Sequence, residues 1–215
     1  GSEVAAITQD YNTALVAPAD PTKLGNTFLG WDVNGDGNVD AFPAKVPAED
    51  ITLEAVWDPD SYAITYVDGG LNSADFPKEY DFGFGLELPV GSKPGYVFLG
   101  WFADEKLTEA VEAISATDTG AKTLYGAWDY AQLTLTFDAA GGVAVEAKEF
   151  TIKTKDWQLP ATTKAGYTFA GWFYGENEVK VLNENTESFT VVAKWIPNIY
   201  TIKFDVNGVI TTLTQ

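Results

Sequence analysis

The sequence predicts a mostly β protein made of tandem copies of one small module, and three recurring motifs carry that prediction. A Phe-x-Gly-Trp motif ends at Trp31, Trp101 and Trp172, so its copies lie 70 and then 71 residues apart. A second tryptophan follows each copy, at Trp57, Trp128 and Trp195. An alternating segment that ends in Asp opens each later unit, at residues 62–68, 133–138 and 200–205. Markers that keep one order at one period indicate repeated modules.

The composition suits small modules with aromatic cores. The 215 residues include 7 Trp, 10 Tyr and 13 Phe, and each large aromatic side chain can bury roughly 150–250 Å². The chain has no Cys and no His, which excludes disulfides, thiol chemistry and Ser-His or Cys-His catalysis. The net charge of −18 disfavours nucleic acid and anionic lipid as partners. No apolar run reaches the length of about 18 residues that membrane insertion requires.

Each complete unit is expected to open with a strand and a turn. Bulky residues alternate with small or polar ones at Tyr62, Ile64 and Tyr66, and the same alternation recurs in residues 133–137 and 200–204. A period of two predicts a half-buried strand. The Asp-Gly-Gly sequence and its variants that follow predict a tight hairpin turn, because glycine and asparagine accept a positive φ.

Three further strands and one short helix complete the predicted unit. The second strand is typified by residues 149–154, and after a Pro-bearing connection the third covers residues 96–102. Residues 106–114 predict one or two helical turns, which supply the α part of an α+β fold. A last strand such as residues 188–195 closes the unit.

These elements divide the chain into four parts. They are repeat one (residues 3–58, lacking its first strand), repeat two (59–129), repeat three (130–196) and the opening strands of a truncated fourth repeat (197–215). The joints are short and contain Pro59 and Pro197, which predicts a stiff, elongated rod. Repeat one should expose an unpaired sheet edge, and the final segment supplies the strand that would cover it. Head-to-tail self-association of the chain through these ends is therefore expected.

The motifs resemble the Listeria–Bacteroides repeat, the internalin B-repeat-like family of bacterial surface proteins. The resemblance rests on Gly-Tyr-x-Phe-x-Gly-Trp-Phe at residues 95–102, Leu-Tyr-x-Ala-Trp at residues 124–128 and Leu-Thr-Phe-Asp-x-x-Gly-Gly at residues 135–142. In repeat one, Asn26 replaces the tyrosine of this pattern. The resemblance implies a β-grasp-like (ubiquitin-like) module on secreted or wall-anchored proteins, with no shared catalytic residues.

One loop of repeat one matches part of a calcium-binding motif. Asp32, Asn34 and Asp36 occupy positions 1, 3 and 5 of an EF-hand-like loop, and Asn38 and Asp40 follow at positions 7 and 9. The pattern fails at position 12, where proline stands in place of a bidentate carboxylate. The loop is therefore a candidate Ca²⁺ site, and the alternative is an ordinary turn rich in Asp, Asn and Gly.

The other recurring residues favour structural roles. Tryptophans that recur at strand ends of a small module are expected in its core, and the unrepeated Trp157 is the better candidate for an exposed contact. Asp68, Asp138 and Asp205 occur once per unit, which suits turn capping better than the paired carboxylates of glycoside hydrolysis. The chain is therefore not expected to be an enzyme.

Two functions remain open. The first is a stiff spacer or stalk that projects the binding domain of an adhesin from a bacterial cell surface or cell wall. The second is a multivalent module that binds a host or neighbouring-cell surface protein or glycan. A binder should repeat exposed aromatic or charged residues at one register, whereas the loops of this chain differ freely between units, which favours the spacer.

Overall fold

Repeat one forms a single antiparallel strand pair. The computed structural model describes residues 1–213, and the side chains of residues 206 and 209–213 lie outside that description. Strand β1 (Asn26–Asp32) pairs with β2 (Glu54–Pro59), and a β-bulge at Gly30, whose φ is +153°, interrupts their register. Residues 3–16 form no strand, and Ala14 makes one isolated bridge with Lys45.

Repeat two forms a five-stranded mixed sheet and a small second sheet. Its strands are β3 (Ser61–Val67), β4 (Glu79–Asp81), β5 (Leu86–Glu87), β6 (Tyr96–Phe102), β7 (Ala110–Val111), β8 (Ala113–Ile114) and β9 (Lys122–Tyr130). The large sheet has the order β4-β3-β9-β6-β7, and β5 pairs with β8. The opening strand β3 lies between β4, to which it is antiparallel, and the closing strand β9, to which it is parallel. A short 3₁₀ helix covers Ser73–Asp75.

Repeat three reproduces this arrangement. Its strands are β10 (Leu133–Asp138), β11 (Lys148–Phe150), β12 (Trp157–Gln158), β13 (Tyr167–Tyr174), β14 (Asn177–Glu178), β15 (Val181–Leu182) and β16 (Phe189–Pro197). The large sheet has the order β11-β10-β16-β13-β14, and β12 pairs with β15. A bulge at Gly171 with φ +131° matches the one at Gly30, so the glycine of the Phe-x-Gly-Trp motif serves a bulge that needs a positive φ.

The final segment is a hairpin of β17 (Ile202–Val206) and β18 (Val209–Leu213). Its two-residue turn, Asn207 and Gly208, has positive φ at both positions, as the sequence predicts for a tight hairpin. The same expectation is wrong for repeats two and three, where longer loops separate the first two strands. Thr214 and Gln215 of the predicted fourth part lie outside the described residues.

The hydrophobic cores lie in repeats two and three, where the large sheet meets the small one. Each core contains the first tryptophan, apolar residues of the opening, second and closing strands, and one residue of the small sheet, and repeat two adds Phe76 after the 3₁₀ helix. In repeat two these are Ile64, Phe76, Tyr80, Trp101, Ile114 and Leu124. In repeat three they are Leu133, Leu135, Phe137, Phe150, Trp172, Leu182, Val191 and Ala193.

The predicted helical turns in residues 106–114 are wrong, and the fold is nearly all β. Leu107 adopts φ +57°, which no α-helix accommodates, and the Asp104 carboxylate accepts hydrogen bonds from the backbone N–H groups of Thr108 and Glu109. These contacts close a turn, after which the chain enters β7 and β8. No α-helix occurs within residues 1–213. The β-grasp-like grouping stays a prediction.

The chain divides into two compact units. One comprises Gly1–Gly91 and Phe98–Ala127, and the other comprises Ser92–Val97 and the chain from Trp128 onward. Within the part of the chain that the structure describes, no helix has the length and apolarity to cross a membrane.

Candidate functional site

The first tryptophan of each repeat is part of the protein's own packing. Trp101 and Trp172 are 3% and 2% exposed, and their indole N–H groups donate to the carbonyl oxygens of Pro89 and Pro160 at 2.6 Å. Trp31 holds the same place in repeat one but is only half-buried. The core role expected for this position is therefore confirmed in repeats two and three and incomplete in repeat one.

The second tryptophan of each repeat is half-buried and covered by a lysine, a feature that the sequence reasoning missed. The ammonium groups lie 5.5–5.8 Å from the tryptophan ring centroids, in the pairs Lys23–Trp57, Lys93–Trp128 and Lys164–Trp195. Each lysine precedes the first tryptophan of its repeat by eight residues, and this recurrence was the signal available in the sequence. Lys164 also donates to the Ala140 carbonyl at 2.8 Å. Cation–π contacts of this kind stabilise the module by about 0.5–1 kcal/mol.

Two other candidates also have structural roles. Trp157 is half-buried, packs against the core of repeat three and lies under the Lys148 ammonium group at 5.3 Å. The carboxylates of Asp138 and Asp205 accept backbone N–H hydrogen bonds from residues two and three positions ahead, both at 2.9 Å. These two aspartates cap their turns, as the sequence predicts.

The acidic loop after β1 is held together by its own backbone. The Asp32 carboxylate is 3% exposed and accepts hydrogen bonds from the N–H groups of Asn34, Gly35 and Gly37 at 2.7–3.1 Å. Further along the loop, the Asn34 side chain accepts the backbone N–H of Asp36, and the Asp36 carboxylate accepts that of Asn38. The Asp40 carboxylate accepts the backbone N–H of Val33. The hydrogen bond from the Gly37 amide contributes most to lowering the pKa of Asp32, and burial opposes it.

The first proposed calcium ligand is already hydrogen-bonded to the backbone. Both carboxylate oxygens of Asp32 face backbone amides, and within the described residues no three acidic side chains are grouped so that they could hold a metal ion. Oxygens of Asp36, Asn38 and Asp40 lie in the same loop and are of the type that calcium prefers. The calcium site stays a prediction.

Repeat one has an open groove where repeats two and three have their opening strand. The groove has a volume of about 560 Å³. The residues that line it include 4–9, 51–53 and Trp31. On the β2 side, the free edge belongs to the segment equivalent to residues 122–125, which pair with β3 in repeat two.

One backbone hydrogen bond recurs at the joints between repeats. The backbone N–H three residues after the second tryptophan donates to the carbonyl six residues before the first one; the pairs are Asp60–Gly25, Ala131–Gly95 and Asn198–Gly166, at 2.9–3.0 Å. A side-chain bond reinforces the first and third joints, from Thr27 to Asp60 at 2.7 Å and from Thr168 to Asn198 at 2.6 Å.

The second joint uses aromatic packing in place of that side-chain bond. The rings of Tyr96 and Tyr130 lie 5.3 Å apart, and the Lys153 ammonium group sits 4.3 Å from the Tyr130 centroid. Gly95 packs so closely against Ile152 that a Cβ there would lie 3.2 Å from that side chain. The matching contact at the first joint is Phe82 on Gly25. Each of these two joints therefore packs a half-buried large residue of one repeat against a glycine of the previous one.

The repeated motifs and the geometry they serve agree with a known family. The model of the Listeria–Bacteroides repeat domain matches the chain three times, at residues 1–56, 62–126 and 134–194. The chain belongs to the Listeria–Bacteroides repeat family. This match confirms the resemblance inferred from the motifs. The Listeria–Bacteroides repeat is typical of bacterial surface proteins.

Three relatives carry similar segments. Two are proteins of Evansella cellulosilytica, one named as a Gly-rich membrane protein and one as a membrane protein, each 29% identical to this chain over 92% and 96% of its length. Internalin H of Listeria monocytogenes is 39% identical over 45% of the chain. The chain spans 24%, 32% and 18% of these three proteins, so it corresponds to one region of each.

Proposed function

We propose that the chain is a non-catalytic spacer or stalk segment of an extracellular protein on a bacterial cell surface or cell wall, and that it projects a binding domain. The observation that carries this proposal is the recurring hydrogen bond at the three joints. A spacer must transmit position and force from one module to the next, which requires joints that resist bending. Family membership and the Internalin H relative support the surface location.

The use of the repeated side chains also supports a spacer. The first tryptophans pack in the cores of repeats two and three, and the second tryptophans are covered by lysines of their own repeats. A multivalent binder would leave such repeated aromatic and charged groups available to a ligand. Here they serve the modules themselves.

One observation favours the second candidate, a multivalent module for a host protein or glycan. Leu29 and Leu99 are 52% and 60% exposed at the same register of β1 and β6. Repeat three has Ala170 at this position, so the apolar contact does not continue along the chain. If repeats one and two bind a surface partner, Leu29→Asp and Leu99→Asp should each weaken adhesion, whereas Ala170→Asp should not.

Distance measurement between repeats one and three tests the spacer. The chain has no native cysteine, so nitroxide labels can be placed on Asp36→Cys and Glu187→Cys, both exposed. Pulsed electron resonance on the dilute chain should give one narrow distance distribution. Inserting Gly-Ser-Gly-Ser between Tyr130 and Ala131 should broaden it, because the insertion separates the groups that fix the second joint.

The same insertion between Gly120 and Ala121, in a loop inside repeat two, is the matched control and should leave the distribution narrow. The spacer proposal fails if the unmodified chain already gives a distribution as broad as that of the joint insertion. A narrow distribution that survives the joint insertion would also contradict it, since the joint contacts would then have no part in fixing the modules.

A further inference from the structure

The same four residues, Asp-Val-Asn-Gly, occur twice in the chain, at residues 32–35 and 205–208. The first copy lies in the acidic loop after β1, and the second forms the turn between β17 and β18. These two copies contain the two Asn-Gly pairs of the sequence. An Asn-Gly pair can modify itself, because glycine has no side chain that would hinder attack by its backbone nitrogen.

The reaction needs no reagent other than water. The backbone nitrogen of the glycine loses its proton to solvent and attacks the side-chain carbonyl carbon of the asparagine. The new C–N bond closes a five-membered succinimide ring, and the carboxamide nitrogen takes up a proton and leaves as ammonia. Water then opens the ring at either carbonyl and gives aspartate or isoaspartate. Each event adds one negative charge, and isoaspartate also lengthens the backbone by one carbon atom.

The first Asn-Gly pair is open to solvent and has a polarised carbonyl. Asn34 and Gly35 are exposed, and a Cβ added at Gly35 would meet no atom within 4 Å. The Asn34 side-chain oxygen accepts the backbone N–H of Asp36 at 2.9 Å. Negative charge develops on this oxygen when the carbonyl carbon is attacked, so the Asp36 amide acts as an oxyanion donor. This contact by itself should speed the reaction at Asn34.

The attacking nitrogen, in contrast, is held by an aspartate in both copies. The Gly35 amide donates to the Asp32 carboxylate at 2.7 Å, and the Gly208 amide donates to the Asp205 carboxylate at 2.9 Å. A carboxylate that accepts this hydrogen stabilises the protonated amide and repels the amide anion that the reaction requires. The contact therefore slows the reaction at both pairs.

A carboxylate at this distance could instead take the amide proton as a general base. Asp32 is poorly suited to that role, because its carboxylate already accepts three backbone amides. The hydrogen bond from Gly37 contributes most to holding its pKa below the ordinary value of 3.8. A carboxylate with so low a pKa is a very weak base toward an amide, so protection outweighs base catalysis.

We propose that the asparagine of each Asp-Val-Asn-Gly copy is a latent self-modification site, and that the preceding aspartate keeps it closed by holding the glycine amide hydrogen. In the acidic loop these residues are Asn34 and Asp32, and in the hairpin turn they are Asn207 and Asp205. Conversion proceeds when the loop or turn opens locally and releases the glycine amide. Isoaspartate at residue 34 then displaces the amides that Asp32 accepts, so one event loosens the whole loop.

Peptide mapping by mass spectrometry tests this protection. The full chain is incubated at neutral pH for several weeks, and each conversion appears as a gain of one mass unit at a located asparagine. Asn34 should convert at least about tenfold faster in concentrated urea than in the folded chain, because unfolding removes a charge-assisted hydrogen bond from the attacking amide.

Two single variants separate the sites. In the folded chain, Asp32→Asn should raise the rate at Asn34 by about threefold or more, because it removes the charge that holds the Gly35 amide. The rate at Asn207 should not change. Asp205→Asn should have the opposite pattern, with faster conversion at Asn207 alone.

Asp40→Asn is the matched control in the acidic loop. The Asp40 carboxylate accepts the amide of Val33 and not that of Gly35, so this variant removes one charge and one charge-assisted contact while the attacking nitrogen stays held. Conversion of Asn34 should keep its parent rate. Equal acceleration by Asp40→Asn and Asp32→Asn would show that loosening of the loop suffices, which overturns the role of Asp32.

Three other results overturn the proposal. They are equal rates at Asn34 in the folded chain and in urea, an unchanged rate in Asp32→Asn, and a slower rate in that variant, which would make Asp32 a general base. If circular dichroism shows that Asp32→Asn fails to fold, the Asp205→Asn comparison at Asn207 decides the question. The result is independent of the spacer function, since a spacer needs no chemical change in its loops.

Discussion

Repeat one and repeat three share the same antiparallel strand pair, β1 with β2 and β13 with β16, but differ in what surrounds it. In repeat one, Phe28 contacts Trp31 and Trp57 with ring centroids 5.3 and 5.4 Å apart. In repeat three, Phe169 contacts Trp172 and Trp195 at 5.4 Å in both cases. The aromatic cluster therefore forms from this strand pair alone, with or without the opening strand.

Burial separates the two repeats. Trp172 is 2% exposed because the opening strand and its Phe137 cover it, whereas Trp31 is half-buried beside an open groove. The strand pair positions the aromatic rings, and the opening strand removes them from water. Since hydrophobic stabilisation scales with the area removed from water, the second step should supply most of the core's free energy.

The largest expected difference between the repeats is at the leucine four residues before the second tryptophan, Leu53 in repeat one and Leu124 in repeat two. Leu124→Ala in repeat two should lower the free energy of unfolding by about 2–5 kcal/mol, because it leaves a cavity in a closed core. Leu53→Ala in repeat one should cost less than about 1.5 kcal/mol, since the side chain is already partly exposed. Urea denaturation followed by tryptophan fluorescence measures both. Equal losses would mean that repeat one has a closed core in solution.

The acidic loop allows a second comparison, between Asp32 of repeat one and Asp104 of repeat two. Backbone hydrogen bonds lower the pKa of both carboxyls from the ordinary value of 3.8. The largest contribution comes from the Gly37 amide for Asp32 and from the Glu109 amide for Asp104. A lowered pKa contributes stability that is present above about pH 4 and is lost as the pH falls through the folded value. Asp32→Asn and Asp104→Asn should therefore destabilise the chain at pH 7.

The two asparagine variants should approach the parent chain in stability as the pH falls below 3.8. Thermal unfolding at pH 7 and at pH 3 measures the difference. A loss of equal size at both pH values would show that the aspartates act through shape and not through charge. Asp36→Asn, at an exposed position of the same loop, is the control for a general effect of removing one negative charge.

Calcium should stabilise repeat one and leave repeats two and three unchanged, because the predicted site belongs to repeat one alone. With a dissociation constant of about 10⁻⁴–10⁻³ M, typical of extracellular modules, 5 mM calcium should stabilise the folded chain by about 1–2 kcal/mol. Asp36→Ala should abolish the rise in melting temperature. Magnesium at the same concentration is the control for ionic strength, and an equal rise with both ions would reduce the loop to an ordinary turn.

The smallest expected effect compares repeats two and three. The Tyr66 hydroxyl is buried with no hydrogen-bond partner among the described residues, and burial raises the pKa of that phenol. Repeat three has Phe137 at the same position. Tyr66→Phe should therefore be neutral or stabilise the chain by up to about 1 kcal/mol, as calorimetry would show. The reverse change, Phe137→Tyr, should destabilise repeat three, and a loss from Tyr66→Phe would point to a partner for the hydroxyl in solution.

Much of the strand pattern was predictable from the sequence, and the errors have physical causes. Strand β6 covers the predicted residues 96–102, and β3, β10 and β16 begin or end within two residues of their expected bounds. The predicted helix failed because side-chain capping by Asp104 and a left-handed Leu107 close a turn, and propensity does not register such contacts. The lysine caps on the second tryptophans were missed because eight residues separate each lysine from the first tryptophan and many more from the second.

The sequence by itself determined the repeat, the β-rich units and the family, because periodic spacing and alternation are local properties that need no partner to be read. Tertiary structure decided which tryptophans are buried, which amides donate to the carbonyls of Gly25, Gly95 and Gly166, and where the groove lies. The physical reason is that burial and joint geometry depend on segments brought together across tens of residues. The same Phe-x-Gly-Trp motif at Trp31 and Trp172 therefore reaches different environments according to whether an opening strand covers it.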